Sequence, residues 1–251
     1  IFADSAKKNR VQRIIYLGGL IPSQKLSQHL ESRKITGEIL RNSGISTIEL
    51  RAGVVIGSGS ASFEMLRYLT ERLPIMVTPR WVKTKIQPIA VRDVLYYLVG
   101  SAGIKEDLNQ AFDIGGPDIL TYKEMMNRYA KVADLRKRII IPVPLLTPRL
   151  SSLWVGFVTP VPGSIARPLV KSLINEVICQ DNSIKKYLPD PQGGLTNFEK
   201  AVDLALIRVR DAQVSTRWSS ASIPGIPSEP MPSDPEWSGG SLYKDVRVQE
   251  I

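Results

Sequence analysis

Cysteine and histidine are nearly absent from this chain of 251 residues, which contains one of each, Cys179 and His29. A single cysteine excludes an internal disulfide framework, and a single histidine excludes a metal cage built from cysteine and histidine ligands. A hydrolase of the Ser-His-Asp or Cys-His type would have to use His29, so this class of enzyme fits the sequence poorly. We therefore expect no metal site.

The sequence also lacks an apolar signal segment at its N-terminus and a long apolar run free of helix breakers. Residues 142–162 carry one charge, but they include prolines at positions 144, 148 and 160. Proline would leave backbone groups unpaired in lipid, so we expect a buried or pocket-lining segment there and no transmembrane segment. These absences predict a soluble, cytoplasmic protein.

Basic residues outnumber acidic ones by 33 to 24, and the net charge is +9. Residues 211–251 carry a net charge of −3, which leaves +12 on residues 1–210. Such an excess suits nucleic acid, an anionic lipid surface or a phosphate-bearing cofactor. The basic residues are mostly single and are not interleaved with aromatics, so we expect no nucleic-acid partner, and a solvated basic surface is the ordinary alternative.

Short apolar runs alternate with amphipathic helical patterns, which is typical of an α/β domain. Strands are predicted at residues 11–17, 47–57, 85–91 and 111–114. Ser27 is placed to cap a helix that runs to about Asn42, and Asp93 to cap a helix over residues 94–99. Residues 121–124 and 196–199 each match a capping box. Four methionines are predicted to be core residues: Met65, Met76, Met125 and Met126.

Proline, serine and glycine make up half of residues 211–240, a composition typical of a linker. The next residues alternate in hydropathy like a strand and end at Ile251. We therefore predict a first domain over residues 1–209, a linker over 210–240, and the start of a truncated second domain over 241–251.

Seven segments follow one another in an order that is typical of one known family: residues 14–19, 34–38, 50–57, 58–67, 79–81, 87–94 and 112–117. Their order resembles the later part of an extended short-chain dehydrogenase/reductase of the atypical, epimerase/dehydratase-like group that binds NAD(P). This resemblance covers roughly residues 1–205. It implies the C-terminal part of a Rossmann-like, doubly wound parallel sheet with a mixed, helix-rich substrate region.

The Gly-x-x-Gly-x-x-Gly turn that opens the family's fold has no match in this sequence. Its glycines let the cofactor's pyrophosphate approach the backbone at a helix N-terminus. We therefore expect a fragment whose leading, adenosine-binding half is missing, and the choice between NAD and NADP is left open. As given, the chain is expected to be inactive and either poorly soluble or oligomeric, because half a parallel sheet exposes an edge and an apolar face.

The family's proton donor is also missing. Its dehydrogenases use a tyrosine and a lysine four residues apart, the lysine lowering the tyrosine's pKa. The family register places the lysine at Lys34 and the tyrosine at Leu30, and the usual serine after the preceding strand is replaced by Gly18 and Gly19. Lys34 is the tentative catalytic residue and could bind a ribose hydroxyl, whereas His29 could serve only in another helix register and otherwise lies at the surface.

The resemblance places the cofactor and the substrate on two sets of residues. Each set has a structural alternative: a solvated lysine at position 34, a strand end that needs glycine at position 53, and a surface stack of Arg80 on Trp81. The cofactor-binding candidates are Gly18, Gly19, Lys34, Ala52, Gly53 and Val54, and the substrate-pocket candidates are Arg80 and Trp81.

The function implied is an NAD(P)(H)-binding oxidoreductase-like protein that acts on a small-molecule substrate of unknown identity. Loss of the tyrosine leaves open a non-catalytic dinucleotide sensor or scaffold. The basic charge leaves open, more remotely, a module that binds nucleic acid or anionic lipid.

Overall fold

The central element of the fold is a three-stranded parallel sheet. A computed structural model of the protein describes residues 1–22, 26–143 and 175–210. The sheet contains β1 (Arg13–Gly19), β2 (Ser46–Ala52) and β7 (Gln110–Ile114), in the order β1-β2-β7. The prediction that the first two strands are parallel neighbours is confirmed, since residues 13–19 pair with residues 46–52.

The register of this sheet aligns the carboxyl ends of its strands. Gly19 pairs with Ala52, and Ala52 pairs with Ile114. Strand β1 ends in Gly18 and Gly19, and glycine follows β2 at position 53 and β7 at positions 115 and 116. One edge of the sheet therefore presents backbone rather than bulky side chains.

Three pairs of short strands extend the fold beyond this sheet. The pairs are β3 (Val55–Ile56) with β6 (Ile89–Ala90), parallel; β4 (Ile75–Pro79) with β9 (Ile139–Val143), parallel; and β5 (Lys85–Ile86) with β8 (Leu120–Thr121), antiparallel. The prediction of one continuous strand over residues 85–91 is wrong. Gln87 and Pro88 interrupt it: the Gln87 N–H donates to the Val177 carbonyl at 2.9 Å, and proline has no N–H to donate.

Six α-helices and two short 3₁₀ helices lie in the described residues. Two predicted caps are confirmed: the Leu30 N–H donates to Ser27 Oγ at 3.4 Å, and Thr121 and Glu124 form a capping box. The α-helices are α1 (Phe2–Lys8), α2 (Gln28–Arg41), α3 (Ala61–Arg72), α4 (Val91–Ala102), α5 (Tyr122–Val132) and α6 (Phe198–Arg210), and the 3₁₀ helices are Arg80–Lys83 and Ser183–Lys186.

Two other predicted caps are wrong. Helix α4 begins at Val91, before Asp93, and the buried Asp93 carboxylate accepts from the backbone N–H and hydroxyl of Thr196, at 2.8 and 3.0 Å. The capping box predicted at residues 196–199 does not form, because α6 begins at Phe198 and its N-cap is therefore Asn197. Instead Asn197 Oδ1 accepts from the Lys200 N–H at 2.9 Å, while Glu199 pairs with Arg128.

The apolar core has one large cluster between α3, α5 and α6 and a second around the parallel sheet. All four methionines predicted as core are buried, as expected. No helix within the described ranges is long and apolar enough to cross a membrane. The predicted linker, the predicted second domain and most of residues 142–162 lie outside the described residues, so the domain boundaries stay predictions.

A buried carboxylate fixes helix α2 on the sheet. Glu49, in the middle of β2, is 1% exposed and contacts the guanidinium of Arg41 at the end of α2. Arg51 Nε also donates to Glu49 Oε1, at 2.9 Å. The space around this carboxylate depends on glycine, because a Cβ at Gly37 would lie 2.5 Å from it and one at Gly18 would lie 2.9 Å from it.

Replacing Glu49 with Gln should lower the free energy of unfolding by about 3 kcal/mol, since it removes the buried carboxylate that contacts both Arg41 and Arg51. Urea unfolding monitored by circular dichroism measures the change. Asp203→Asn is the matched control: the Asp203 carboxylate is nearly half-exposed and pairs with Lys200 Nζ at 3.0 Å on α6, so its loss should cost less than about 0.5 kcal/mol. Equal effects of the two substitutions would contradict the role given to Glu49.

Candidate functional site

A cavity of about 210 Å³ opens at the carboxyl edge of the parallel sheet. In open parallel sheets this edge is where ligands bind, because loops and glycine turns there leave a crevice. The wall is mostly apolar side chain and bare backbone. It is formed by Leu17, Gly18, Gly19, Leu20, Leu30, Arg33, Ala52, Gly53, Val55, Tyr122 and Val177.

Four of the six predicted cofactor-binding residues line this cavity: Gly18, Gly19, Ala52 and Gly53. Val54 does not line it; its carbonyl accepts from the Ile89 N–H at 3.0 Å, and its side chain packs on the large apolar cluster. Strand pairing thus brings the ends of β1 and β2 together at one site.

Lys34 is also outside the cavity wall. Its Nζ lies 3.7 Å from Glu38 Oε1, and both side chains are nearly half-exposed. Leu30, one turn earlier, and Arg33, the residue next to Lys34, do line the cavity. The position at which the family register expects the tyrosine is therefore at the cavity, but leucine occupies it. His29, beside it, is half-buried and is not part of the wall.

The two predicted substrate-pocket residues begin the first 3₁₀ helix. The side chain of Arg80 lies outside the described part of the structure. Trp81 is 6% exposed and packs edge-on against Tyr122, with ring centroids 5.4 Å apart. Its burial excludes a surface stack of Trp81 with an arginine. Trp81 stands behind the cavity wall and supports Tyr122, which is part of that wall.

Tyr122 is the functional candidate that sequence reasoning missed. It is the first residue of α5 and is 8% exposed, and burial raises the pKa of its phenol. No acceptor for its hydroxyl lies among the described residues. The sequence signal was local: the capping box placed residue 122 at a helix start, but nothing showed that this start faces the ends of β1 and β2.

Close packing around Gly53 leaves little room for a side chain at this point of the cavity wall. A Cβ at this position would lie 3.2 Å from Val177 Cγ1 and 3.3 Å from the Gln87 carbonyl oxygen. Gln87 itself joins three segments: its side-chain amide donates to the Gly116 carbonyl at 2.7 Å, and its amide oxygen accepts from the Cys179 N–H at 3.1 Å. A residue with a side chain at position 53 would push this wall outward or fill the cavity.

The described part of the cavity wall carries a positive charge. Among the described residues that line it, Arg33 and Tyr122 are ionisable and none is acidic. Burial lowers the pKa of the nearby His29 imidazole, and the positive charge of Arg33 lowers it further. An electron-rich or anionic group is therefore favoured at this position over a cation.

Comparisons with known proteins show structural likeness without sequence likeness. No family model matches the chain, and no curated protein matches it. A triphenylmethane reductase from Citrobacter sp. complexed with NADP(H) superposes with a TM-score of 0.62 at 16% identity, over 81% of this chain and 68% of that one. UDP-glucose 4-epimerase from Thermotoga maritima, with UDP-glucose, gives 0.60 at 14% identity, over 84% and 67%.

A third match is the enzyme WbmH from Bordetella bronchiseptica in complex with NAD⁺, with a TM-score of 0.57 at 15% identity, over 83% of this chain and 66% of that one. The fold is Rossmann-like. The predicted Rossmann-like α/β fold is thereby confirmed. The chain spans about two thirds of the length of these structures, and identities this low establish the fold alone.

The effect of the Arg33 charge on its surroundings can be measured through the pKa of His29. Arg33→Gln should raise the pKa of His29 toward 6.5, its ordinary value, because it removes a neighbouring positive charge. Proton NMR of the imidazole over a pH series resolves this, since the chain has one histidine. Because the pKa of His29 is lower in the folded protein than in the unfolded chain, the free energy of unfolding should fall as the pH drops below 6.5. This fall should be smaller in Arg33→Gln, in which the pKa of His29 is closer to its ordinary value.

Arg92→Gln, which removes an exposed charge from α4, is the control and should leave the His29 titration unchanged. A His29 midpoint at or above 6.5 in the unsubstituted protein would be inconsistent with this packing.

Proposed function

We propose that the protein binds NAD(H) or NADP(H) and is oxidoreductase-like, acting on a small-molecule substrate. The observation that carries the proposal is the glycine-lined cavity at the aligned carboxyl ends of β1 and β2 in a Rossmann-like fold. It is supported by structural neighbours crystallised with NAD⁺ and with NADP(H).

The residues present fit the nicotinamide end of such a cofactor. The absence of side chains at Gly19 and Gly53 leaves backbone open to a flat ring, and a Cβ at Gly19 would already lie 3.2 Å from Leu30 Cδ2. Ala52 and Gly53 would run along the nicotinamide, with Val54 continuing the same strand end. The bound cofactor would supply hydride chemistry, and this chain's residues would hold and orient it.

Lys34 is proposed to bind a ribose hydroxyl of the cofactor. Its pairing with Glu38 is long and solvated, so the ammonium can reorient toward a ligand at little cost. Arg80 and Trp81 are proposed for the substrate side. For Trp81 the proposed role is indirect, through the edge-on contact that fixes Tyr122.

A second candidate function is dinucleotide binding without turnover, as in a sensor or scaffold. The observation that favours it is Leu30, which lines the cavity and occupies the position to which the resemblance assigns the proton-donating tyrosine. The two functions differ in one measurement, hydride transfer from reduced cofactor to a panel of carbonyl compounds.

Titration with NADH and NADPH tests the shared part of both functions. The protein translated from its complete reading frame should enhance the fluorescence of at least one reduced cofactor and gain thermal stability with it. Absence of both signals with both cofactors would refute the proposal. Binding with measurable hydride transfer selects the oxidoreductase, and binding without it selects the sensor.

Gly53→Val should weaken binding of the reduced cofactor by about tenfold, because the added methyl groups overfill a wall that is already in contact. Gly103→Ala is the matched control: it ends α4, and its Cβ would meet nothing closer than 3.5 Å. Thermal unfolding of both variants identifies any loss of folding. Unchanged affinity in folded Gly53→Val would argue against this placement of the nicotinamide.

A further inference from the structure

One side of the β4–β9 strand pair exposes apolar side chains to solvent. Four large aliphatic residues there are 47–60% exposed: Ile75, Val77, Ile139 and Ile141. They form two cross-strand pairs, because Ile75 pairs with Ile139 and Val77 pairs with Ile141. Since side chains alternate along a strand, all four lie on the same side of the pair. These four residues are called the aliphatic face below.

The opposite side of the same two strands is covered. Met76 and Ile140 are 1% and 6% exposed and belong to the large apolar cluster. Parallel strands occur almost only in sheets that are covered on both faces. Four half-exposed aliphatic side chains next to one another make a patch of a few hundred Å², and patches of this size mark interaction sites. The aliphatic face therefore has the character of a docking surface.

Basic residues lie at the end of the aliphatic face where both strands begin. Arg136 and Lys137, in the turn that leads into β9, are exposed and form no ion pair within the described ranges. Arg72 is the last residue of α3, shortly before β4, and is also exposed. Its guanidinium carbon lies 4.7 Å from the centroid of the Tyr68 ring, a contact that keeps the positive charge. Asp134 is the one acidic residue between α5 and β9, so this end of the face is positive.

Charge and area together indicate what covers the aliphatic face. The chain carries a net charge of +9, so a second copy would add positive charge to an end that is already positive. The face is also smaller than the roughly 800 Å² that each partner buries in a stable protein interface. An anionic lipid surface meets both conditions, because it accepts exposed aliphatic groups at its interface and attracts lysine and arginine beside them.

We propose that the aliphatic face docks on an anionic lipid surface. The four aliphatic side chains enter the headgroup layer, and Arg72, Arg136 and Lys137 lie over acidic headgroups. No residue of the aliphatic face lines the cavity at the edge of the parallel sheet. The proposal is therefore independent of dinucleotide binding, and lipid binding is measured without the cofactor.

Co-sedimentation with lipid vesicles tests the proposal. The protein translated from its complete reading frame is mixed with vesicles of phosphatidylcholine alone, or of phosphatidylcholine and phosphatidylglycerol in equal parts, at about 0.1 M salt. It should partition to the mixed vesicles more strongly by about tenfold or more, since only these carry negative charge. The difference should shrink at high salt, because ions screen the headgroups.

The apolar contribution is tested by a double variant of one cross-strand pair. Ile75→Thr with Ile139→Thr keeps β-branched side chains on both strands and should weaken binding to the mixed vesicles by about tenfold, because less apolar surface leaves water. Leu95→Thr with Val99→Thr is the matched control. It changes two aliphatic residues of α4 that are 54% and 74% exposed, and binding should stay unchanged.

The contribution of charge is tested by a second double variant. Arg136→Gln with Lys137→Gln should weaken binding to the mixed vesicles by about thirtyfold, or about fivefold for each charge, and leave binding to phosphatidylcholine unchanged. Arg92→Gln with Lys123→Gln removes the same net charge from exposed positions on α4 and α5. This control should change binding by less than about twofold, since salt screens charges that lie far from the lipid.

The proposal is overturned if the protein does not sediment with the mixed vesicles, if phosphatidylcholine alone binds it equally, or if both double variants at the face bind like the unsubstituted protein. Sedimentation velocity without lipid tests the competing occupant. A dimer that Ile75→Thr with Ile139→Thr converts to monomer would assign the face to a second copy and overturn the proposal as well. Thermal unfolding identifies any variant that fails to fold, and the other double variant then decides the outcome.

Discussion

The structure depends on how one buried carboxylate joins α2 to the sheet. Glu49 is taken out of water in the middle of β2, a cost that the arginines at the end of α2 and on β2 offset by bringing charge to it. Gly18 and Gly37 make room for this group, because any side chain there would collide with it. Helix α2 is therefore fixed in rotation as well as position, and its first turn presents Leu30 to the strand ends. The site is a consequence of this docking.

Acidic residues fix the C-terminal segments in the same way, by accepting hydrogen bonds over long sequence separations. Asp93 receives two from Thr196, Asp113 receives the Gln180 N–H at 2.9 Å, and Asp118 receives the Phe198 N–H at 2.9 Å. A carboxylate that accepts backbone N–H groups is both satisfied and rigid. These contacts hold residues 177–198 against the core, and Val177 thereby completes the wall opposite Gly53.

The features that could be predicted from the sequence are those set by residues that lie close together in the chain. The parallel pairing of β1 with β2 follows from two short apolar runs separated by a capped helix, and Ser27 and the Thr121–Glu124 box were readable because the cap and its N–H groups are neighbours in sequence. The failures were long-range. Asp93 looked like a cap and is instead the acceptor for a residue 103 positions away. Nothing in the sequence around Tyr122 predicted a functional role, because this residue reaches the cavity only through the position of α5 beside the sheet edge.

Leu30 occupies the position at which a proton-donating tyrosine is expected, and Tyr122 lies at the same cavity. The Tyr122 phenol is nevertheless not equivalent to the expected one. In a tyrosine–lysine pair the ammonium lowers the phenol's pKa, so the hydroxyl can both release and regain a proton near neutral pH. At Tyr122 burial raises the pKa and no cation on the same helix face opposes it. This phenol stays protonated and acts as a fixed donor. Its chemistry is therefore that of a group that binds and orients an acceptor oxygen.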